Sequence, residues 1–257
     1  MHTAPALVDQ LTDADVARYR RDGFLHTPGL LAPDEVVRLR ELFVSESERQ
    51  RDRMLQGGYA APAVFVQQVN LWQANRDLLG LALHPRMRAT ATRLAGEPLR
   101  LWHDHLLIKR ARNGVATEFH QDLPYWPFRD GDSALSAWVA LVDVPAVRGC
   151  MSYIPGSQRH AGLAAQDLLD PRSLFQRCPE LEWQPMVTVP VKAGDVVWHH
   201  GRTAHRANAN ASDQDRVVVS VIYMPRTTRF TGADHICTGD GAFTPGDLIA
   251  GDAFPEI

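Results

Sequence analysis

The hydrophobic pattern divides the chain into a helical first third and a strand-rich remainder. Before residue 97, apolar residues recur at helical spacing, as in Val36, Leu39 and Leu42. From Leu99 onward the spacing changes to the two-residue period of strands, in short runs that are separated by turn signals. The pattern therefore predicts helices that support a β-rich core.

Residues 1–97 are predicted to be mostly helical support. Thr12 and Asp15 form a capping box that starts the first helix, and Gly23 ends it. Residues 54–72 show no clear period, so either a substrate lid or a plain surface connection fits them. The other predicted helices are Asp34 to about Arg53, Leu71–Ala82, and one from Pro85 that closes at Gly96.

The strand-like runs after residue 97 predict two antiparallel sheets with helices packed on one side. The core is expected to span residues 98–230 and to be followed by an irregular tail, residues 231–257. Because no linker or repeat divides the chain, a single domain is expected over residues 1–257. The predicted strands are Leu99–Lys109, Ser136–Val144, Met151–Ile154, Met186–Val191, Asp195–His199 and Arg216–Pro225.

Composition excludes several classes of function. The 45% hydrophobic and 22% charged residues are ordinary for a globular protein. A net charge of −3 with dispersed basic residues gives no footprint for nucleic acid. The N-terminus lacks the pattern of a secretory signal, and no apolar run reaches the roughly 18 residues of a membrane span. Cys150, Cys178 and Cys237 lie far apart, which favours a cytoplasmic location over a disulfide framework.

Metal-binding chemistry is first indicated by His120 and Asp122, which are two residues apart. On an extended strand both side chains would leave the same side of the backbone. They would supply two of the three ligands in the 2-His-1-carboxylate face that holds Fe(II) with open positions. Since such a pair arises easily by chance, another strand must supply a second histidine. His199, His200 and His205 are the candidates, although one of the first two could be a satisfied core or rim group.

Arg216 begins an otherwise apolar strand, eleven residues after His205. A guanidinium that is buried alone is costly, so Arg216 needs an anionic partner. The carboxylate of a bound cosubstrate would serve, because guanidinium binds carboxylate through two parallel hydrogen bonds. A salt bridge with Asp213 or Asp215 is the alternative.

A family resemblance emerges from several spaced motifs, which are His120-Gln121-Asp122, Gly149-Cys150-Met151, Ile154-Pro155-Gly156-Ser157, Gly194-Asp195, His205, Asn210-x-Ser212 and Arg216. Together they resemble the phytanoyl-CoA dioxygenase family of Fe(II)/2-oxoglutarate-dependent oxygenases. The resemblance covers nearly the whole chain. It implies that residues 98–230 form a double-stranded β-helix, a jelly-roll or cupin-like core, with flanking helices.

The resemblance also implies roles for particular residues. His120, Asp122 and His205 would be the catalytic iron ligands, and Arg216 would clamp the distal carboxylate of 2-oxoglutarate. Ala207 stands where the family often has a serine, which leaves more of the recognition to the arginine. Further cosubstrate contacts would be Trp138, His105 and Lys109. Without the resemblance Trp138 would be interpreted as a core aromatic, and a snorkelling rim lysine explains Lys109 nearly as well.

The implied cofactors are Fe(II), 2-oxoglutarate and O2, with ascorbate as an aid in vitro. The implied reaction oxidises a C–H bond and releases succinate and CO2. Halogenating relatives replace the metal-binding carboxylate by a small residue, so Asp122 favours hydroxylation or a related desaturation, epimerisation or cyclisation. Two other functions use the same ligands: a non-catalytic metal-binding protein, and a cupin-type hydrolase or isomerase with zinc or manganese.

Candidate substrate contacts follow the metal stretch directly, at Tyr125, Trp126, Phe128 and Arg129. The three aromatic residues could form an apolar wall at the mouth of the site or simply fill the end of the barrel. Nothing in the sequence resembles a CoA-binding signature. The expected partner is a small-molecule metabolite such as a natural-product intermediate, with neither nucleic acid nor membrane, for a monomer or small homo-oligomer.

Overall fold

The computed structural model describes residues 11–56, 65–239 and 241–257 of the chain. The helices are α1 (Asp13–Asp22), α2 (Pro33–Gln56), α3 (Leu71–Ala74), α4 (Leu79–Ala82), α5 (Pro85–Ala95) and α6 (Ser173–Arg177). The strands are β1 (Phe24–Thr27), β2 (Phe65–Val69), β3 (Leu99–Lys109), β4 (Thr117–His120), β5 (Phe128–Arg129), β6 (Leu135–Ala140), β7 (Met151–Tyr153), β8 (Val187–Val189), β9 (Val196–His200), β10 (His205–Ala207), β11 (Arg216–Pro225) and β12 (Arg229–Phe230).

Two antiparallel sheets contain most of the strands. The larger has the order β1-β9-β6-β11-β3-β2, and the smaller has the order β4-β10-β7-β8. The short strands β5 and β12 pair with each other as a separate ribbon. The predicted architecture, mainly β with antiparallel sheets and helices, is confirmed.

The larger sheet has two buried faces, because side chains alternate along each strand. On β11, Val217, Val219 and Val221 belong to the apolar cluster that includes the helices. Arg216 and Ser220, on the opposite face of the same strand, line an internal cavity. The alternation therefore separates a purely apolar packing face from a face that carries chemistry.

Helices α2 and α5 cover the apolar face of the larger sheet. Phe43 of α2 and Met87 of α5 are fully buried in that cluster. Full burial of an apolar side chain of this size contributes about 1.5–3 kcal/mol. Pro85 at the first turn of α5 and Gly96 in the left-handed conformation after its last turn define its two ends, as the sequence predicts.

The smaller sheet packs against the other face of the larger one. Trp138, Val197 and Val218 of the larger sheet form an apolar cluster with Met151 and Tyr153 of the smaller sheet. The two sheets thus lie face to face with side chains between them. The cavity opens where this packing gives way to polar residues.

Strand β3 changes face along its length. Leu99 and Leu101 pack toward the helices, whereas His103 and His105 line the cavity. The reversal coincides with a register shift between β3 and β11 at Ile222, which places an extra residue in β3. This bulge lets one strand contribute to the apolar core at one end and to the cavity at the other.

Several predicted elements are confirmed and others need correction. The strands Leu99–Lys109 and Arg216–Pro225 were predicted with the bounds that the structure has. The assignment of residues 54–72 to a loop is wrong for β2, Phe65–Val69, which pairs with β3. Residues 57–64, where a lid was considered, lie outside the described residues. The predicted helix Leu71–Ala82 is interrupted because Asn75 adopts an extended conformation that separates α3 from α4.

The strands β1, β4 and β10 were absent from the predicted set. All three are at most four residues long. In the part of the chain that the structure describes, no helix combines the length with the apolar character that a membrane crossing requires.

Asp104 is a buried carboxyl group in β3, with 3% of its surface exposed. One oxygen accepts a hydrogen bond from the backbone N–H of Trp72, at 3.2 Å. Among the described residues, the other oxygen has no partner. Burial raises the pKa of Asp104 to about 7, although backbone hydrogen bonds oppose the shift.

We predict that Asp104 lowers the free energy of unfolding as the pH rises. The folded protein keeps a proton that the unfolded carboxyl group, with its pKa of 3.8, has lost. The contribution to stability is therefore fully present below pH 3.8 and is lost as the pH rises through about 7. A raised pKa of this size corresponds to about 4 kcal/mol.

Urea unfolding of wild type and Asp104→Asn between pH 4 and pH 8 measures this effect. The free energy of unfolding should fall less steeply with pH in Asp104→Asn than in the wild type. The exposed Asp52, changed to Asn, is the control and should keep the wild-type profile. Equal pH dependence in wild type and Asp104→Asn would contradict the prediction.

Candidate metal centre

Three side chains converge where β4 pairs with β10. His120 and His205 are register partners, and their ring centroids lie 4.3 Å apart. Nε2 of each histidine lies 3.5 Å from Oδ1 of Asp122. The three potential ligand atoms are within 4.8 Å of one another, so they can share one metal ion.

Backbone carbonyls determine which nitrogen of each imidazole faces this centre. Nδ1 of His120 lies 2.7 Å from the carbonyl oxygen of Glu118, and Nδ1 of His205 lies 2.8 Å from that of Thr203. Because a carbonyl oxygen only accepts, Nδ1 donates and Nε2 keeps its lone pair for a metal. Burial lowers the pKa of His205 well below its usual value, which favours the neutral form that metals bind.

The carboxylate of Asp122 reaches the centre by a different route from the predicted one. Strand β4 ends at His120, and the backbone of Asp122 has the helical angles φ −73° and ψ −42°. The argument from strand alternation is therefore wrong at this residue. Asp122 begins a tight helical turn at Leu123–Tyr125 instead, and this turn places its carboxylate beside the histidines.

Two further side chains hold the carboxylate of Asp122. The Ser136 hydroxyl donates to Oδ2 at 2.9 Å, and Nε2 of His199 lies 3.2 Å from the same oxygen. Oδ1 faces the two histidines and can bind a metal ion. Burial acts to raise the pKa of Asp122, but the neighbouring imidazoles, His205 foremost, and the hydrogen bond from His199 outweigh it and hold the pKa well below its usual value. The ligand is thus ionised and oriented.

Arg216 is 1% exposed and belongs to the same cavity. Its Nη1 donates to the carbonyl of Gly149 at 3.1 Å, and its guanidinium lies 5.6 Å from the centroid of the Trp138 ring. Among the described residues, no acceptor pairs with its Nε. Burial lowers the pKa of Arg216 to about 9, which still leaves the group charged at neutral pH.

Among the described residues, neither Asp213 nor Asp215 forms a salt bridge with Arg216. Asp215 pairs with Arg110 at 2.6 Å instead. A buried guanidinium with an unpaired N–H, beside a centre of two imidazoles and one carboxylate, fits a metal ion together with an organic acid. The donor set suits Fe(II), and the guanidinium suits the distal carboxylate of 2-oxoglutarate.

A cavity of about 240 Å³ surrounds this centre. It contains the candidates Trp138, His105, Tyr125 and Trp126 in its lining. His105 contributes a buried Nε2 that has no partner among the described residues, so it can bind a cosubstrate or substrate. The hydroxyl of Tyr125 donates to the carbonyl of Gln166, which fixes its ring at the wall.

The remaining sequence candidates lie elsewhere. Nζ of Lys109 donates to the backbone carbonyls of Val115, Ala207 and Asn208, at 3.0–3.1 Å. These bonds tie three segments of chain together, which is a sufficient structural reason for the lysine. Its contact with the cosubstrate stays a prediction.

Phe128 and Arg129 form β5 and are absent from the cavity lining. Phe128 packs edge-on against Trp102, with ring centroids 4.8 Å apart. Arg129 is exposed. The packing agrees with the alternative in which this aromatic fills the end of the barrel, and the substrate contacts predicted for both residues stay untested.

Three other histidines belong to the site. His199 holds Asp122, and His103 and His235 line the cavity beside His105. The ring centroids of His103 and His235 are 6.2 Å apart. Burial lowers the pKa of His103 to about 3 and also lowers that of His235, so both are neutral. The two-residue period of β3 places His103 on the same face as His105 and could have indicated it as a site residue. The irregular tail gave no such signal for His235.

The model of the phytanoyl-CoA dioxygenase (PhyH) family matches residues 19–218. Among solved structures, the α-ketoglutarate-dependent carbocyclase SnoK from nogalamycin biosynthesis is 34% identical, with a TM-score of 0.84 and coverage of 99% of this chain and 100% of that one. The epimerase SnoN, in complex with Fe3+, α-ketoglutarate and nogalamycin RO, is 36% identical, with a TM-score of 0.78 and coverage of 95% and 97%.

Among curated proteins, an L-proline trans-4-hydroxylase from Streptomyces griseoviridis is similar. It is 28% identical over 238 residues, which are 83% of this chain and 86% of the relative. The three similar proteins are thus a hydroxylase, a carbocyclase and an epimerase.

We predict that the two partners of Asp122 set the affinity of the centre for metal. Ser136→Ala and His199→Phe should each raise the dissociation constant for Fe(II) by roughly 10–100-fold, the usual cost of losing a hydrogen bond to a metal ligand. Anaerobic titration of each purified variant with Fe(II) measures the effect.

Ser152→Ala is the matched control. Ser152 is also buried, and its hydroxyl bonds to Thr188 rather than to a metal ligand. It should leave the Fe(II) affinity unchanged. Wild-type affinity in both Ser136→Ala and His199→Phe would show that the carboxylate needs no such support.

Proposed function

Because the chain belongs to the phytanoyl-CoA dioxygenase (PhyH) family, we propose that it oxidises a C–H bond of a small natural-product intermediate at the His120, Asp122 and His205 centre. The chain is an Fe(II)- and 2-oxoglutarate-dependent dioxygenase. The observation that carries the site assignment is the convergence of Nε2 of both histidines on Oδ1 of Asp122, with Arg216 in the same cavity.

In the proposed mechanism, His120, Asp122 and His205 would hold Fe(II). When bound, the iron, 2-oxoglutarate and O2 supply the oxidation of a substrate C–H bond, coupled to decarboxylation of 2-oxoglutarate to succinate and CO2. Arg216 binds the distal carboxylate of 2-oxoglutarate and thereby orients it. Apolar lining residues such as Ile222 exclude water from the oxidised carbon.

The cavity lining favours an uncharged substrate over an acyl-CoA. Arg216 is the one arginine or lysine among the described residues of the lining, and we assign it to 2-oxoglutarate. The phosphates of CoA would need further cations. Neutral imidazoles of His103, His105 and His235 instead offer hydrogen bonds to hydroxyl or carbonyl groups, and Trp126 offers an aromatic surface.

The outcome of oxidation is proposed to be hydroxylation, with epimerisation or carbocyclisation as the alternative. Asp122 occupies the carboxylate position that halogenating enzymes lack, so hydroxylation is open. The similarity to the carbocyclase SnoK and the epimerase SnoN, over nearly the whole chain, is the reason for keeping carbocyclisation and epimerisation as the alternative. The same similarity makes natural-product intermediates, rather than free amino acids, the first substrates to test.

The finer description of the fold belongs to the same proposal. We propose that the two facing sheets form a double-stranded β-helix, because the metal ligands of β4 and β10 face the larger sheet across one cavity. A single domain over residues 1–257, a cytoplasmic location and a monomer or small homo-oligomer stay predictions.

Loss of Arg216 should weaken 2-oxoglutarate binding. Truncation of one partner of a buried charge pair costs roughly 2–5 kcal/mol, so Arg216→Ala should raise the dissociation constant for 2-oxoglutarate about 30-fold or more. Anaerobic titration in the presence of Fe(II) measures this, with the exposed Arg129→Ala as the control. Unchanged affinity in Arg216→Ala would refute the clamp.

Asp122→Ala should abolish turnover, measured as succinate release, while the protein stays folded.

A panel of natural-product intermediates is scored by succinate release and then by product mass. Hydroxylation adds one oxygen atom, epimerisation leaves the mass unchanged, and desaturation or ring closure removes two hydrogen atoms. The substrate proposal fails if wild type releases no more succinate with any compound of the panel than without one.

A further inference from the structure

Outside the iron centre, a second group of metal-ligating side chains consists of His160, Cys178 and Glu180. Nδ1 of His160 lies 3.3 Å from Sγ of Cys178 and 3.4 Å from Oε1 of Glu180. All three potential ligand atoms lie within 4.8 Å of one another. The thiol is buried, the imidazole is partly exposed and the carboxylate is exposed, so the group is reachable from solvent on one side.

We propose that His160, Cys178 and Glu180 form a second metal site for a zinc-like divalent cation. Thiolate and imidazole are ligands that zinc prefers, whereas magnesium and calcium prefer oxygen. Tetrahedral zinc with bonds of about 2.0–2.3 Å places neighbouring ligand atoms about 3.3–3.6 Å apart. The two distances from Nδ1 of His160 match that spacing.

Binding of the metal releases one proton. Sγ of Cys178 binds as the thiolate, so its proton passes to solvent as the metal–sulfur bond forms. The exposed side of the site leaves the fourth position of a tetrahedral ion to water. No electron transfer or other reactant is involved.

The cation would join the two ends of the segment 160–180. This segment lies over the iron centre: Oε1 of Gln166 accepts from the backbone N–H of Gln121 at 2.8 Å, and Leu168 lines the cavity. A link that closes a loop reduces the conformational freedom of the chain between its ends. We therefore assign to the second site a structural role: it holds one wall of the cavity in place.

Cobalt(II) distinguishes this site from the iron centre, because thiolate bound to cobalt gives a near-ultraviolet charge-transfer band. The three proposed iron ligands include no sulfur. Added to the full-length protein, Co2+ should produce this band in the wild type and equally in Asp122→Ala, in which the iron centre is broken. Cys178→Ser should remove the band, and excess Zn2+ should abolish it in the wild type.

Two further variants test the ligand set. Cys237→Ser is the matched control, because Cys237 is partly buried and outside the group, and it should keep the band. Glu180→Gln changes an exposed side chain and keeps its shape. It should weaken Co2+ binding by at least roughly tenfold and should remove the rise in melting temperature that Zn2+ gives the wild type.

The proposal is overturned if Co2+ gives no thiolate band in the wild type, if the band survives in Cys178→Ser, or if Glu180→Gln binds Co2+ like the wild type. Because the band does not depend on Fe(II), 2-oxoglutarate or turnover, these outcomes leave the proposed oxygenase function untouched. Failure of that function would equally leave the second site standing.

Discussion

The metal centre depends on the register between β4 and β10. Strand β10 lies between β4 and β7, so His205 is aligned with His120 on one side and with Tyr153 on the other. A slip by one residue would turn His205 to the opposite face of the sheet. The Nδ1 atoms are then bonded to carbonyls two residues earlier in each chain segment, which fixes both rings. Backbone pairing thus determines the position, the rotation and the tautomer of the ligands together.

Burial of charge explains why metal and cosubstrate belong together in this cavity. Asp122 carries one negative charge, and Arg216 carries one positive charge that no carboxylate among the described residues neutralises. Fe(II) adds two positive charges and 2-oxoglutarate adds two negative ones, so the four groups together sum to zero. Because the two side chains already balance each other, Fe(II) without 2-oxoglutarate, or 2-oxoglutarate without Fe(II), would leave a net charge in a poorly solvated space, which is costly. The same balance leaves no surplus cation for an anionic substrate.

The sequence predicted two kinds of feature correctly: long strands, and residues that belong to a set of motifs spread along the chain. The ten-residue β11 and the eleven-residue β3 were recognised to the residue, because strand-like runs of such a length between turn signals are distinctive. The convergence of His120, Asp122 and His205 was expected from the family resemblance, and the structure brings these residues together. The local reason was wrong, since Asp122 lies in a helical turn and not on a strand.

What the sequence could not supply was information about long-range neighbours. His199 and His200 are adjacent in sequence, and only the pairing of β9 with β6 places His199 beside Ser136 and hence beside Asp122. His235 comes from a segment without periodicity and reaches the cavity by packing against Trp102, at 5.0 Å between ring centroids. Such contacts follow from tertiary packing, which no local pattern encodes.

The turn that carries Asp122 is coupled to the segment 160–180 on its outer side. Gln121, between the two ligands, donates from Nε2 to the carbonyls of His160 and Arg202, at 2.9 and 2.7 Å. Its backbone N–H and the Tyr125 hydroxyl both bond to Gln166. A displacement of this segment would therefore break hydrogen bonds on both sides of Asp122 before it reached the cavity. Restraint of the segment at His160 would act on the metal ligands through Gln121, so the wall of the cavity and the geometry of the centre are held by one network.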